Sequence, residues 1–580
     1  MKRLLFIFIF VVFIIIGAYF YIRFVVLKAK DFKPDYSKSK SVADLRPALI
    51  AKLQQLVKDA SGGLYNLSIG KIDPHISDLS IDITDAVLTP DSAVIKNLDK
   101  SHTLPDDLFQ IALSSLHVDG IHMKDLLSKD HLSLKHILIN APVITVYYQE
   151  KWYNKGLRKK NDSISVYKRI MKKMKSISID TIEVKNGTFA MQSNDKNNTT
   201  RFNNLSVAMK DVLIDSSTQF DTKRFLFAKE ATVSAQNFYG RTPDNFYFFR
   251  CASVNISTAD DKLAVHNFEL RPLLNQKQLK SDSHNRNERY EITIPGITLH
   301  GIDGNDLNDV ISKSHLSLKD VLIKAPVFEV CEKESPHNNQ DYSKAAPATT
   351  YEDIVKKMKR ISIDTFQVVN GTLITHMGAK NNMNKLSGIS MQLKNVLVDS
   401  SAQYDPKRFL FAKQAALSAK NFYGRTPDNL YYFKCASIKV STAEDQITAL
   451  GFEFHPRVNQ QQFESQLRER KEMYNLSIPK ITLRGVGWSN LSDQKIVANQ
   501  AAVSNGSCKI FLDRSLPFRH VKMNNFPDQI LMRIPVPISI KQMVINKCNL
   551  AYSEHNPGMD KIGTVYIDNL DGQVTNITNM

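Results

Sequence analysis

Beyond its first thirty residues the chain is written in short runs in which Ile, Val, Leu and Phe alternate with polar residues, punctuated by Asn-Gly, Asn-Asn, Pro-Gly and Asp-Asn pairs. A side-chain period of two predicts β-strands with one apolar face, and the pairs between them are turn formers. The alternation slips by one residue inside several runs. Ile177 and Ile179 give way to Ile182 and Val184 across Asp180-Thr181, and Ile292 and Ile294 to Ile297 and Leu299 across Pro295-Gly296. Such slips predict bulges or bends in long strands, which a curved sheet needs. Helical periodicity is scarce: one amphipathic helix is predicted over 44–59, with Leu45, Leu49, Leu53 and Leu56 on one stripe and Gly62-Gly63 as its stop. Shorter helices are predicted over 165–175 and 351–359, and the stretch from Pro336 to Thr349 reads as a linker.

The N-terminus breaks this pattern. From Leu4 to Ile22 run 19 uncharged residues, which as a helix reach roughly 28 Å, enough for a bilayer core. With no A-x-A-like site after it, the run predicts an uncleaved, single-pass signal anchor within residues 1–30, carried by Leu4, Phe8, Val12, Ile16, Tyr19 and Ile22. Lys2 and Arg3 precede it, and Arg23, Lys28, Lys30, Lys33, Lys38 and Lys40 follow it. Positive-inside counting would keep the body cytoplasmic, yet large C-terminal domains often translocate regardless, so charge leaves the orientation open.

The body is a tandem duplication. HLSLKHILINAPV at His131 returns as HLSLKDVLIKAPV at His315, 184 residues later, and RFLFAKEATVSAQNFYGRTPDNF from Arg224 returns from Arg408 with 18 of 23 positions identical. That period exceeds solenoid repeats, so each copy is a domain-sized module. Partial copies stand at both ends: Leu64-Tyr65, Ile72 and Pro90 match Phe246-Tyr247, Val254 and Pro272, while ISIKQMVINKCNL from Ile538 matches ISIDTFQVVNGTL from Ile361. The expected division is an anchor (1–30), a helix with a partial β module (31–109), full modules over 110–289 and 290–473, and a truncated third over 474–580.

Composition narrows the classes. Apolar residues at 43% and charged residues at 23% exclude disorder as the overall state, and a mean hydropathy of −0.26 excludes a polytopic membrane protein. Five scattered cysteines exclude a disulfide framework. A net charge of +18 favours anionic partners.

No H-E-x-x-H, C-x-x-C, G-x-S-x-G, Walker A or G-x-G-x-x-G pattern occurs, so no catalytic, metal or cofactor site is expected. The paired Asp180 and Asp364 read as solvent-facing strand positions or bulges, His131 and His315 as structural histidines, and Cys251 and Cys435 as small buried hydrophobes. The FYGRTPDN segments read as structural loops, their Thr-Pro and Asp-Asn forming turns while Arg241 or Arg425 satisfies loop carbonyls. Lys168, Arg169, Lys172, Lys173 and Lys175, with the copy Lys356, Lys357, Lys359 and Arg360, form basic stripes that lack interleaved aromatics. Nucleic acid is not an expected partner.

An N-terminal anchor, a short amphipathic helix and β modules with strands such as ISIDTIEVKNGTF resemble the AsmA-like superfamily that includes TamB, in particular its long repeat-containing members in Bacteroidetes-type envelopes. The strand ending at Asn186-Gly187-Thr188-Phe189, its copy Asn370 to Leu373, and the degenerate Lys547-Cys548-Asn549-Leu550 bear the resemblance. It implies a mainly β fold forming an elongated curved sheet or groove, a bacterial inner-membrane anchor, a periplasmic body, and phospholipid movement or outer-membrane maintenance without catalysis. Candidate groove-facing residues are Ile177, Ile179, Ile182 and Val184 with Ile361, Ile363, Phe366 and Val368. The alternative is a membrane-anchored scaffold that presents loops to envelope protein partners and moves no lipid, the same residues filling a sandwich core.

Overall fold

The computed structural model describes residues 46–75, 79–120, 131–154, 175–193, 199–218, 221, 223–242, 245–273, 288–302, 315–332, 360–377, 382–402, 405–426, 429–467, 470–517, 532, 536–558 and 561–580. The predicted anchor, Leu45, the two short basic helices save Lys175, and the stretch from Pro336 to Thr349 lie outside these. Among the described residues no helix is long and apolar enough to cross a membrane.

The described chain is mainly β, in two compact units: residues 1–269 with 300–313, and 270–299 with 314–580. In the first, β1 (Tyr65–His75), β2 (Ser80–Pro90) and β3 (Asp107–Asp119) form an antiparallel meander. The far side of β3 pairs with two short strands end to end, β4 (His131–Asn140) and β5 (Val143–Tyr148), and both run parallel to β6 (Ser176–Ser193). From β6 the sheet continues antiparallel through β7 (Thr199–Ile214), β8 (Glu230–Arg241), β9 (Tyr247–Ser257) and β10 (Lys262–Pro272), whose last residues belong to the second unit.

The second unit repeats the scheme. β11 (Glu288–His300) pairs with β13 (Val327–Glu332), and β12 (His315–Lys324) and β13 run parallel to β14 (Arg360–Met377). Antiparallel neighbours follow: β15 (Asn382–Val398), β16 (Ala412–Arg425), β17 (Tyr431–Ser441), β18 (Gln446–Pro456) and β19 (Met473–Val486). A third round sets β20 (Ile496–Ser504) and β21 (Ser507–Asp513) between β19 and β22 (Ile538–His555), with β23 (Gly563–Thr578) last. Parallel neighbours need a long crossover. The predicted linker therefore belongs to the connection from β13 to β14 and does not separate domains.

The phase slips have a specific cause. Ile179 pairs with Val212 and Thr181 with Lys210, so no extra residue enters at Asp180; both strands slip together, and Asp211 opposite takes a left-handed φ of 50°. Asn395 (52°) and Asn576 (56°) repeat this opposite Asp364 and Lys541. Asn and Asp tolerate that conformation best among residues with a Cβ. The expected bulge here is instead a paired slip, which turns both strands while keeping their apolar side chains on one face.

True register shifts occur one bend later, at Gly187, Gly371 and Cys548, each just after a left-handed residue (Asn186, Asn370, Lys547). A Cβ on Gly187 would meet the Pro142 ring at 3.2 Å, and one on Gly371 the Pro326 ring at 3.3 Å. In the third copy the bulk is exchanged: Cys548 stands in the strand and Gly506 replaces the proline, the sulfur 3.2 Å from where a Cβ on Gly506 would sit. The backbone bond across the joint is kept, from Thr188, Thr372 and Asn549 N–H to the carbonyls of Pro142, Pro326 and Gly506.

The predicted 44–59 helix is observed as α1 (Arg46–Ala60), stopped by Gly62 and Gly63 at positive φ. Leu49 and Leu53 are fully buried among the apolar side chains of β1 to β6, while the Leu56 side chain lies outside the description.

The exchange at the joint predicts coupling. Gly371→Cys alone overpacks against Pro326 and costs about 1–3 kcal/mol in urea unfolding. Adding Pro326→Gly recovers stability relative to the sum of the single changes, and strict additivity of the two would refute the exchange.

Candidate functional site

The faces of the sheet differ in kind. In the second unit, cross-strand partners place Ile323, Val368, Met391, Leu417 and Val440 in one row from β12 through β17. The row continues through Ile447, Leu483, Ala501 and Met543 to Val574 on β23. Ten strands thus contribute ten apolar residues in register, an arc of about 43 Å at ~4.8 Å per strand. One position along each strand, on the opposite face, a row that is polar at every place but Ala416 runs Gln367, Gln392, Ala416, Ser441, Gln446, Arg484, Gln500, Gln542 and Thr575. Side-chain bonds along it link Arg484 to Gln446 (3.4 Å) and Gln500 to Gln542 (3.4 Å).

The apolar row is mostly half-buried. Only Ala501 is buried, and Val574 is 43% exposed on a strand where Val565, Ile567 and Leu570 are exposed as well. In the first unit the equivalent row runs Ile72, Ile83, Leu116, Ile139, Val184, Val207, Val233 and Ile256. Its first four members are buried to 5% exposure or less within the cluster that holds Leu49 and Leu53 of α1, and from Val184 onward it is half-buried. Burial thus falls from the β1 end toward β9.

All eight candidate groove residues lie on this apolar face. Ile177 and Ile179 are 1% exposed and Ile182 6%, inside the closed cluster of the first unit, with Val184 packed against it. Ile361, Ile363 and Phe366 are half-buried around Leu393, Val396 and Ala412, and Val368 is half-buried in the ten-strand row. The six anchor positions lie outside the described residues.

The other recurring residues find structural places. His131 and His315 are exposed, as are Asp180 and Asp364. Cys251 and Cys435 are buried on the apolar face, and burial pushes both thiols up. Within the FYGRTPDN segments Arg241 donates to Tyr239 (3.3 Å) and to the Asn245 side chain (3.2 Å) and Arg425 to Tyr423 (3.0 Å), while Pro243-Asp244 and Pro427-Asp428, whose carbonyls the arginines were expected to satisfy, lie outside the described residues. Backbone carbonyls are satisfied by Arg224 and Arg408, which donate to the left-handed Asp211 and Asn395 and to Phe227 and Phe411, and by Arg457, which donates to Asn429 (3.2 Å). Of the basic stripes, Arg360 heads β14 with Asp399 3.8 Å away.

Sequence reading missed a chain of alternating imidazoles and carboxylates on the polar face of the first unit. His75 lies 3.2 Å from Asp82, and Asp82 lies 2.7 Å from His117. His117 is 3.4 Å from Asp119, and His136 is 3.7 Å from both Asp119 and Glu183. Lys185, 2.7 Å away, ends the chain and holds Glu183 below the usual carboxylate range. Its members alternate with the buried Ile81, Ile83, Leu116, Val118 and Ile137, which is the one signal the sequence offered.

No family model matches the chain, and no curated protein does. Among solved structures, the crystal structure of a sex pheromone staph-cAM373 precursor is similar at 9% identity over 57% of this chain and 82% of that one, with a TM-score of 0.13. A likeness that slight carries no argument.

The histidine chain sets a pH dependence. Burial alone would lower the pKa of His117, but the hydrogen bond and charge of Asp82, with those of Asp119, outweigh it and raise it above the ordinary 6.5. The stability His117 contributes is therefore fully present below about pH 6.5 and is lost as pH rises through its folded-state pKa. The urea midpoint should fall between about pH 6 and pH 8, and less so in His117→Gln; an equal fall in both would remove His117 as the cause.

Proposed function

We propose that this chain is a membrane-anchored envelope protein of the AsmA-like kind, whose apolar sheet face forms a groove for phospholipid acyl chains. The observation that supports this reading most is the in-register row from Ile323 to Val574, backed one position away by glutamines. An apolar surface of this length has to be covered. Burying methylenes against it is worth about 0.8 kcal/mol each, and successive strands present nearly the same rung. A bound chain therefore meets small differences in moving along the row, against a large cost for leaving it, while headgroups remain in water. No catalytic constellation is needed. The anchor would be Leu4 to Ile22 in the inner membrane, with the body in the periplasm. Envelope protein partners are compatible with this role, and nucleic acid has none in it.

The closed end of the first unit favours a second reading for that part. Ile177 and Ile179 are buried in the same closed cluster as Leu49 and Leu53 of α1, as in a plain structural core, and a scaffold that binds no lipid would be built the same way there.

Site-directed photo-crosslinking in the full-length chain, in cells with radiolabelled phospholipid, separates the readings. A photoreactive residue at Met391, Val440 or Met543 should capture labelled lipid, whereas the same residue at Gln392, Ser441 or Gln542 should not. Leu483→Asp should reduce capture at Met543 several-fold without altering expression. Equal labelling of the two rows, or none at either, would leave the scaffold in front.

A further inference from the structure

We propose that Glu329, Cys331 and His376 form a binding site for a borderline divalent transition-metal ion, Zn2+ in the first instance, on the polar face of the second unit. Glu329 and Cys331 lie two apart on β13, so both project to the same side, and His376 pairs directly with Cys331 across the parallel β13–β14 joint. Their ligand atoms all lie within 4.8 Å of one another, and His376 Nε2 is 2.8 Å from a Glu329 carboxylate oxygen. All three side chains are half-buried, so the site is reachable from solvent yet held by its strands.

The donor set has the right chemistry. Thiolate, imidazole and carboxylate are zinc's ordinary ligands, and three of them with a water in the fourth position make an open tetrahedral site. Metal–ligand distances of about 2.0–2.3 Å put tetrahedral donors roughly 3.3–3.8 Å apart, so closing the site needs side-chain shifts of well under a rotamer change. On binding, the Cys331 S–H bond is replaced by an S–metal bond and its proton leaves to solvent. The neighbouring arginines turn to another carboxylate: Glu291, opposite Glu329 on β11, pairs with Arg289 and with Arg271, the latter at 3.3 Å. Glu329 is thereby left to the imidazole and the ion.

The repeats supply an independent observation. The positions equivalent to Glu329, Cys331 and His376 are Thr145, Tyr147 and Gln192 in the first copy and Lys509, Phe511 and Ser553 in the third. All three metal-ligating residues stand together in one copy alone, so none is a feature that the fold requires of every copy. A clamp there would tie β13, which is only six residues long, to β14 at the far end from the Pro326 joint.

The test uses the untagged full-length chain, stripped with chelator and kept reduced, then titrated with Zn2+ by calorimetry and with Co2+ by absorbance. The expected result is one equivalent bound, with a near-ultraviolet thiolate-to-cobalt band. Cys331→Ser should abolish the band, and Cys331→Ser and His376→Gln should each weaken Zn2+ binding at least ten-fold, with circular dichroism unchanged. Cys435→Ser and His315→Gln should bind as the parent does. Absence of the band, or undiminished Zn2+ binding in Cys331→Ser, would overturn the site. Neither outcome depends on lipid binding.

Discussion

The three longest described strands, β6, β14 and β22, have to turn while keeping the same side chains on the same face, and the rest of the structure depends on how they do so. A β-strand that simply bent would present its next residue on the wrong side, since the side-chain period is two. Here both partners skip a residue together, one of them in a left-handed conformation, as at Asp180 with Asp211, Asp364 with Asn395 and Lys541 with Asn576. Register survives the turn, so rows of apolar residues can continue from strand to strand.

Much of this was legible along the chain and little of it across the chain. The strand class, the duplication and the slips at Asp180 and Asp364 follow from alternation and repetition, and α1 from its leucine stripe. What sequence cannot convey is which strands are neighbours. That β12 and β13 pair in parallel with β14 sets His376 beside Cys331, 45 residues away. Nothing in the spacing of Glu329, Cys331 and His376 resembles a metal motif, because the pairing of two strands, not a short loop, brings them together. The histidine chain was hidden for the same reason, its members lying on five strands.

The degenerate third copy shows how the joint constrains residues in pairs. Read alone, Lys547-Cys548-Asn549 is a decayed Asn-Gly-Thr. Read with Asn505-Gly506 it is a consistent alternative, because the volume that proline fills in the first two copies is given to the cysteine sulfur in the third. Conservation of a glycine between copies is thus a statement about its neighbour's bulk as much as about backbone freedom.

A sheet with one apolar face is ordinarily stabilised by a second layer laid against that face. At the β1 end of the first unit α1 provides such a layer, and the row beneath it is closed to solvent. Elsewhere in each unit the described helices are short and cover less: α2 (Ser92–Lys100) packs Val94, Ile95 and Leu98 on the first unit's cluster without fully burying them, α3 (Gln460–Ser465) buries Phe463 at the start of β17, and α4 (Trp488–Ser492) lays Trp488 and Leu491 against the cluster around Leu393, Val396 and Ala412. Ile447, Leu483 and Met543 therefore remain half-buried on the apolar face, as the glutamines of the row behind them are on theirs. Selection for stability alone would place polar residues at half-exposed positions, since exposed apolar area contributes nothing to folding and promotes association. Apolar residues are nonetheless retained at the same rung of ten successive strands, and it is on this retention that the proposed acyl-chain groove rests.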